Sequence, residues 1–141
     1  MPAEETLILI KPDAVERHLI GAIIKRIEDR GLSITRMQLT QASTGQIERH
    51  YAHLAASEHY ARIIRWMTRG PLVALLVTGE NAIQAMRQTI GATDPLQAAP
   101  GSIRGDFASW IGANLVHASS DRVAVEVERE IWFPAESGPD T

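Results

Sequence analysis

Four side chains in this sequence could together handle a phosphate group. Lys11 ends an apolar run, Arg87 lies in a predicted helix, and Arg104 lies in the glycine-rich segment that follows. His117 comes later, in the stretch NLVHASSD, where Ala118 and the two serines after it are too small to cover its ring. Guanidinium and ammonium groups bind phosphate oxygens, and an uncovered imidazole can act as a nucleophile. This combination predicts phosphate chemistry.

Each of these residues also has an ordinary structural interpretation. Arg87 alone is more often a charge on a helix surface, and His117 alone is more often a histidine with a structural hydrogen bond. We interpret His18, His50 and His53 as structural, because no carboxylate or cysteine completes a convincing metal site with them. The sequence also lacks the GxxxxGK[ST] and GxGxxG fingerprints, so side chains would have to hold any nucleotide.

The pattern of apolar residues predicts the elements that position these side chains. Apolar residues form continuous runs or alternate with polar ones in strands, and they recur at helical spacing in helices. The predicted strands are 6–10, 32–40, 71–79 and 114–118. The predicted helices are 18–31, a pair over 43–70 with a break at AASE, 81–91 and 121–133. In the last helix Val123, Val125 and Val127 also alternate as in a strand. A one-residue phase slip in the second strand predicts a β-bulge near Thr35 and Arg36.

The order of these elements predicts an α+β fold of the ferredoxin-like, split βαβ kind. We expect a β-α-β-β-α-β core with a four-stranded antiparallel sheet and helices on one face. The segment 92–113 would be a long loop, which in a compact domain is often functional. The chain has 141 residues, which suits one domain. We assign residues 1–133 to this one domain, which would carry the phosphate chemistry, and residues 134–141 to a polar, mobile C-terminal tail.

Composition narrows the partners and the compartment. The net charge of −3 provides no whole-surface attraction to nucleic acid or anionic lipid. The longest apolar runs, LILI and LVALLV, are too short to span a bilayer, and the N-terminus has no signal-peptide pattern. The chain has no cysteine, which is compatible with a reducing compartment. We therefore expect a cytoplasmic protein with no specific nucleic-acid partner and no membrane partner.

Four motifs are more specific together than any one of them alone. IKPDAVERHLIG, GATDP, PGSIRGDF and NLVHASSD occur in this order, and from about Thr6 to Phe133 the chain resembles a nucleoside diphosphate kinase. The resemblance implies transfer of the γ-phosphate of ATP, or of another nucleoside triphosphate, to nucleoside diphosphates by ping-pong through a phosphohistidine at His117. It also implies Mg²⁺ carried by the nucleotide phosphates, with no direct protein ligand, and a homo-oligomer of open subunit number.

The resemblance also implies roles for further residues. Tyr51 would donate a hydrogen bond near the transferring group, Glu128 would accept one from the imidazole nitrogen that does not attack, and Ser119 would support that glutamate. Lys11 would assist in catalysis as well as in binding. The nucleotide would be held by Lys11, His59, Arg87, Thr93, Arg104, Ile111 and Asn114, with His59 and Ile111 on either side of the base.

Two positions depart from the family pattern. His59 stands where a phenylalanine is usual, and its smaller ring would weaken or retune base stacking. Ser120 precedes Asp121, so the carboxylate comes one residue late and its water-mediated contact to Mg²⁺ is in question. A non-catalytic family member, acting as a nucleotide- or protein-binding module, is therefore the alternative. An RNA-binding module fits less well because aromatics are 5% of residues. A simple phosphohistidine carrier would not need three cations.

Overall fold

The structure is a computed structural model that describes residues 3–135, and its centre is one four-stranded antiparallel sheet in the order β2-β3-β1-β4. The strands are β1 (Glu4–Ile10), β2 (Ser33–Thr40), β3 (Leu72–Gly79) and β4 (Val116–Ala118). The helices are α1 (Pro12–Glu16), α2 (Ile20–Asp29), α3 (Thr44–His50), α4 (Tyr60–Thr68), α5 (Ala82–Ile90), α6 (Ile103–Phe107) and α7 (Arg122–Trp132). The α+β, ferredoxin-like fold class is confirmed.

Helices cover both faces of the sheet, so the expectation of helices on one face was wrong. Helices α2 and α5 pack on one face with Ile8 and Ile10 of β1, while α3, α4 and α7 pack on the other with Leu7 and Leu9. All four of these β1 residues are fully buried. Because β1 and β3 are apolar on both faces, neither face can be left in water without exposing a row of large side chains.

Local signals explain most helix boundaries. The Ser43 side chain caps α3 by accepting from Gln46 N, and Gln46 returns the bond to Ser43 N, which makes a capping box. Gly31, with φ of 82°, follows the end of α2. The predicted pair over 43–70 is interrupted from residue 51 to residue 59, a longer break than AASE alone. The last predicted helix is confirmed as α7, so its alternating valines do not form a strand.

Strand β2 lies at one edge of the sheet and is mostly exposed. The predicted bulge is confirmed by a register shift between Ile34 and Arg36 in the pairing with β3. Beyond the bulge, Met37 and Leu39 are 59% and 62% exposed. Their exposure leaves an apolar strip along this edge.

The segment 92–113, predicted to be a long loop, contains helix α6 and 3₁₀ turns at Pro95–Gln97 and Ile111–Ala113. Asp94 caps the first turn by accepting from Leu96 N, and Ser102 caps α6 by accepting from Gly105 N. These short elements were missed because each depends on a cap, with too few residues to show apolar periodicity. The predicted tail lies outside the described residues from position 136 onward. Among residues 3–135, no helix has the length and apolar character needed to cross a bilayer.

Candidate active site

His117 lies in the middle of β4, opposite Leu9 of β1, with its side chain 22% exposed. Its Nε2 atom is 2.7 Å from Oε1 of Glu128, which α7 supplies. Ser119, one strand position beyond Ala118, donates from Oγ to the same carboxylate oxygen at 2.7 Å. Within residues 3–135, Nδ1 of His117 has no hydrogen-bond partner. Because a carboxylate only accepts, Nε2 carries the proton and Nδ1 keeps its lone pair.

The surroundings favour a neutral ring next to a charged carboxylate. Burial lowers the pKa of His117 by more than its hydrogen bond with Glu128 raises it, and the charges of Lys11 and Arg104 lower it further. Burial alone would raise the pKa of Glu128, but the hydrogen bond with His117, aided by Ser119, lowers it on balance. The pair therefore offers an uncharged nitrogen nucleophile and an ionised acceptor behind it.

Lys11 and Asn114 meet beside this pair although they are far apart in the sequence. Nζ of Lys11 donates to Oδ1 of Asn114 at 2.9 Å, and Nδ2 of Asn114 donates to the carbonyl of Thr93 at 3.0 Å. Burial and the charge of Arg104 lower the pKa of Lys11 to about 8, while Asp13 opposes this shift. A bound anion would favour the protonated form, so this ammonium group is suited to holding phosphate.

Arg104 is 4% exposed and ties three backbone segments together. Its guanidinium donates to the carbonyls of Asn114 at 3.2 Å, Gly91 at 3.0 Å and Val116 at 2.6 Å. Burial, with the charge of Arg87 nearby, lowers the pKa of Arg104 to about 10. A guanidinium has five N–H donors, so two remain after these contacts. Arg104 thus shapes the turn before β4 as well as adding positive charge.

Arg87 is more open than Arg104. It lies on α5, is exposed, and donates from Nη1 to the carbonyl of Ala118 at 3.3 Å, next to His117 in β4. Thr93 is exposed as well, and its backbone carbonyl, not its side chain, accepts the hydrogen bond from Asn114. The side chains of these two residues are therefore available on the solvent side of the site.

The ring of His50 packs against the rings of both His117 and Tyr51. The His50 ring centre is 4.4 Å from that of His117 with the planes at 78°, and 4.8 Å from that of Tyr51. Burial, followed by the charge of Glu128, raises the pKa of Tyr51, so its hydroxyl stays protonated and can donate. Interpreting His50 as merely structural missed its contact with the candidate nucleophile. Its position next to Tyr51 in the sequence was the only available signal.

His50, His117 and Glu128 each place one possible ligand atom within 4.8 Å of the others. However, Nε1 of Trp132 donates to Nδ1 of His50 at 3.0 Å. A neutral imidazole has one donor and one acceptor, so Nε2 of His50 carries its proton and offers no lone pair. Burial and His117 lower the pKa of His50 to about 3, which keeps the ring neutral. We therefore do not assign a metal to this cluster.

Three positions discussed in the sequence lie at the surface of the site. His59 is exposed and its Nδ1 contacts Arg62 at 2.9 Å; Ile111 is 54% exposed. Base stacking by His59 and Ile111 stays a prediction. Asp121 caps α7 by accepting from Ala124 N at 2.8 Å. The late carboxylate therefore has a structural role at a helix start.

Asp13 was not predicted as a site residue, although it belongs to the Lys-Pro-Asp motif. It is 4% exposed and its Oδ2 accepts from the backbone N–H of Leu115 at 3.0 Å. Leu115 has a positive φ of 75° and precedes β4 directly. The carboxylate thus holds the segment that delivers His117.

Comparison with known proteins agrees with this geometry. The family model described as nucleoside diphosphate kinase matches residues 4–137. The chain is 46% identical over 134 residues to the nucleoside diphosphate kinase of Parafrankia sp. (strain EAN1pec), covering 95% of this chain and 98% of that one. It is 48% identical over 132 residues to the enzyme of that name from Mycobacterium tuberculosis, covering 93% and 97%.

Solved structures show the same similarity. The nucleoside diphosphate kinase of Halobacterium salinarum, crystallised in complex with CDP, superposes with a TM-score of 0.91 at 34% identity, over 99% of this chain and 95% of that one. The apo enzyme of Encephalitozoon cuniculi also gives 0.91, at 33% identity, over 98% and 94%.

Proposed function

Because this chain belongs to the nucleoside diphosphate kinase family, and is an enzyme of that class, we propose that it transfers the γ-phosphate of ATP, or of another nucleoside triphosphate, to nucleoside diphosphates through a phosphohistidine at His117. One observation carries the proposal. Nε2 of His117 is committed to Glu128, which leaves the lone pair of Nδ1 free to attack.

The first half-reaction forms one bond and breaks one. Nδ1 of His117 attacks the γ-phosphorus, the bond to the β–γ bridging oxygen breaks, and the nucleoside diphosphate leaves with that electron pair. The imidazole gains positive charge, which the carboxylate of Glu128 stabilises through Nε2–H. In the second half, a terminal oxygen of another diphosphate attacks the phosphorus, the bond between phosphorus and Nδ1 breaks, and its electron pair returns to Nδ1 to give the neutral ring. A single pocket serves both nucleotides in turn, since donor and acceptor differ by one phosphoryl group.

The cations around His117 supply the electrostatic stabilisation that phosphoryl transfer needs. Lys11 and Arg87 would contact phosphate oxygens directly, and the two unused N–H groups of Arg104 would add to them. The hydroxyl of Tyr51 would donate to the transferring group. Thr93 would assist at the phosphates, and Asn114, already bound to Lys11, would contact the sugar hydroxyl.

The base would lie between His59 and Ile111 at the open end of the site. Both side chains are exposed, so a nucleotide could reach them. The CDP complex of the Halobacterium salinarum relative supports nucleotide binding in this fold. An imidazole at position 59 covers less of a base than a larger aromatic ring would, so stacking at this position would be weaker.

The cation of the reaction would be Mg²⁺ carried by the nucleotide. Mg²⁺ prefers hard oxygen ligands and commonly binds substrate phosphates. Glu128 binds His117 and Ser119, Asp121 caps α7, and Asp13 accepts from the backbone N–H of Leu115. These residues fit a cation held by the phosphates and not by the protein. Such a cation neutralises part of the phosphate charge when bound.

The alternative of a non-catalytic family member rested on the displaced carboxylate of Asp121 and on the imidazole of His59, and the first of these two arguments is weakened. Asp121 has a structural role as a helix cap, and the His117–Glu128 pair is complete without it. We also propose that the enzyme acts in the cytoplasm, where its nucleotide substrates are found, and assembles as a homo-oligomer through the exposed edge strand β2.

The test is incubation with γ-labelled ATP followed by a chase with nucleoside diphosphate. Acid-labile, alkali-stable label should appear on the protein and leave with the diphosphate. His117→Ala should lose the label, whereas His53→Ala, which removes an exposed histidine, should keep it. Label that cannot be chased would indicate a carrier, and the absence of label on the wild-type protein would contradict the proposal.

A further inference from the structure

The backbone between Asn114 and Val116 is a tight turn just before the catalytic strand. The N–H of Val116 donates to the carbonyl of Asn114 at 2.9 Å, and Leu115 between them has φ of 75°. These features match the rare, strained form of γ-turn. Leu115 is fully buried and has a branched side chain, so glycine's tolerance of positive φ is not available here. Such a conformation persists only where the surroundings hold it.

Both peptide groups of Leu115 are held by the segment that carries Lys11. The Leu115 N–H donates to Oδ2 of Asp13 at 3.0 Å, and its carbonyl accepts from the backbone N–H of Lys11 at 2.8 Å. Arg104 holds the flanking carbonyls of Asn114 and Val116. The bonds from Arg104 and the bond to Asp13 all involve a charged side chain, and charge-assisted hydrogen bonds are the stronger kind. Of these, the bond to Asp13 is the one made by the Leu115 peptide itself.

The other oxygen of Asp13 has no hydrogen-bond partner among residues 3–135, and it is buried. A buried carboxylate with an unpaired oxygen is unfavourable unless a cation compensates for it. The charged and titratable groups around Lys11 are Asp13 on the adjoining helix, Arg104 of α6, and the imidazoles of His50 and His117. Among them, Asp13 is the group whose negative charge favours the protonated ammonium of Lys11.

We propose that Asp13 is a positioning residue for phosphoryl transfer: its carboxylate holds the strained turn at Leu115, which places Asn114 and His117, and its charge keeps Lys11 protonated. This inference rests on the proposed function for its effect on rate. It assigns two separable tasks to one side chain. Asp13→Asn keeps an oxygen that can accept from Leu115 N but removes the charge, and Asp13→Ala removes both.

The charge can be tested without any enzymatic reaction. The chain has two lysines, Lys11 and Lys25, so NMR of protein labelled with ¹³C-lysine should give two side-chain signals, and Lys25→Arg assigns them. In the wild-type protein the Lys11 signal should titrate near pH 8. In Asp13→Asn it should titrate about one unit lower. Asp29→Asn, which removes an exposed carboxylate of α2, should leave it unchanged. An unchanged Lys11 titration in Asp13→Asn would overturn the charge assignment.

The effect on rate is measured by steady-state kinetics with ATP as donor and TDP as acceptor across pH 6–10. Because kcat/KM reports groups of the free enzyme, its alkaline limb should move to lower pH in Asp13→Asn, by the shift seen in the NMR titration. Asp13→Ala should in addition lose at least about tenfold in kcat at all pH values, because the turn relaxes. A merely structural role would lower Tm in both variants without moving the limb, and that result would overturn the proposal. Absence of transfer by wild-type protein would instead refute the proposed function, while the NMR titration would still test Asp13.

Discussion

At the scale of single residues, the site depends on side chains that are kept in one protonation state. His50 is held neutral by burial and by its neighbour His117, which lower its pKa to about 3. Trp132 fixes the position of its proton by donating to Nδ1. A buried ring in a known tautomer can pack edge-on against His117 without adding a positive charge beside Lys11 and Arg104.

The neutrality of His50 should make the fold sensitive to acid. The unfolded chain binds a proton on this ring below about pH 6.5, whereas the folded chain does not until about pH 3. The contribution of His50 to the free energy of unfolding is therefore fully present above pH 6.5 and is lost as the pH falls towards 3. His50→Asn keeps an acceptor for Trp132 and cannot titrate. Urea unfolding from pH 4.5 to 7.5 measures the free energy of unfolding at each pH. This free energy should change less steeply with pH in the variant than in the wild-type protein, by at most about 1.4 kcal/mol per pH unit. Parallel curves for the two proteins would contradict this expectation.

At the scale of elements, the short helix α6 matters more than its length suggests. It carries Arg104, whose guanidinium joins the end of α5 to the turn before β4. Its first turn is packed closely against the preceding segment, since a Cβ at Gly105 would overlap the carbonyl oxygen of Ala99 and lie 2.7 Å from the carbonyl carbon. Displacing α6 would therefore disturb the site through the backbone.

Two glycine-to-alanine changes should separate this close packing from ordinary helix propensity. Gly105→Ala cannot be accommodated by a side-chain rotation, because the obstacle is backbone, and it should lower the free energy of unfolding by about 2 kcal/mol or more. Gly21→Ala lies in α2, where a Cβ would meet nothing within 4 Å, and should be neutral or stabilising by up to about 1 kcal/mol. Chemical denaturation of both variants measures this. Equal effects at the two positions would show that the contact with Ala99 is unimportant.

At the scale of the whole molecule, the sheet has one long edge that the described chain leaves open. Strand β2 pairs on one side with β3 only, and its apolar residues Met37 and Leu39 are exposed. Exposed apolar edge strands favour association with another chain. The opposite edge, β4, is short and lies within the active site, so it is less available for pairing.

Leu39→Lys should therefore weaken self-association. A lysine on this edge would place a positive charge in an apolar contact between subunits, and desolvating it is unfavourable. Light scattering coupled to size-exclusion chromatography should show the wild-type protein as an oligomer and the variant shifted to smaller species. Val127→Lys, at a side chain 56% exposed on α7, is the matched control and should keep the wild-type size. A monomeric wild-type protein would refute the assembly proposed through β2.

The sequence by itself predicted the four strands, the longer helices and the bulge in β2, and the proposals for the nucleophile and the cations around it come from the sequence as well. These features are encoded over short stretches, in apolar periodicity and in motifs such as NLVHASSD and PGSIRGDF. Only the tertiary structure decided that both faces of the sheet are covered, that His50 packs on His117, and that Asp13 holds Leu115 from 102 positions away. These contacts join residues that are far apart in the sequence, so no local pattern predicts them. The folding of the sheet brings the residues together.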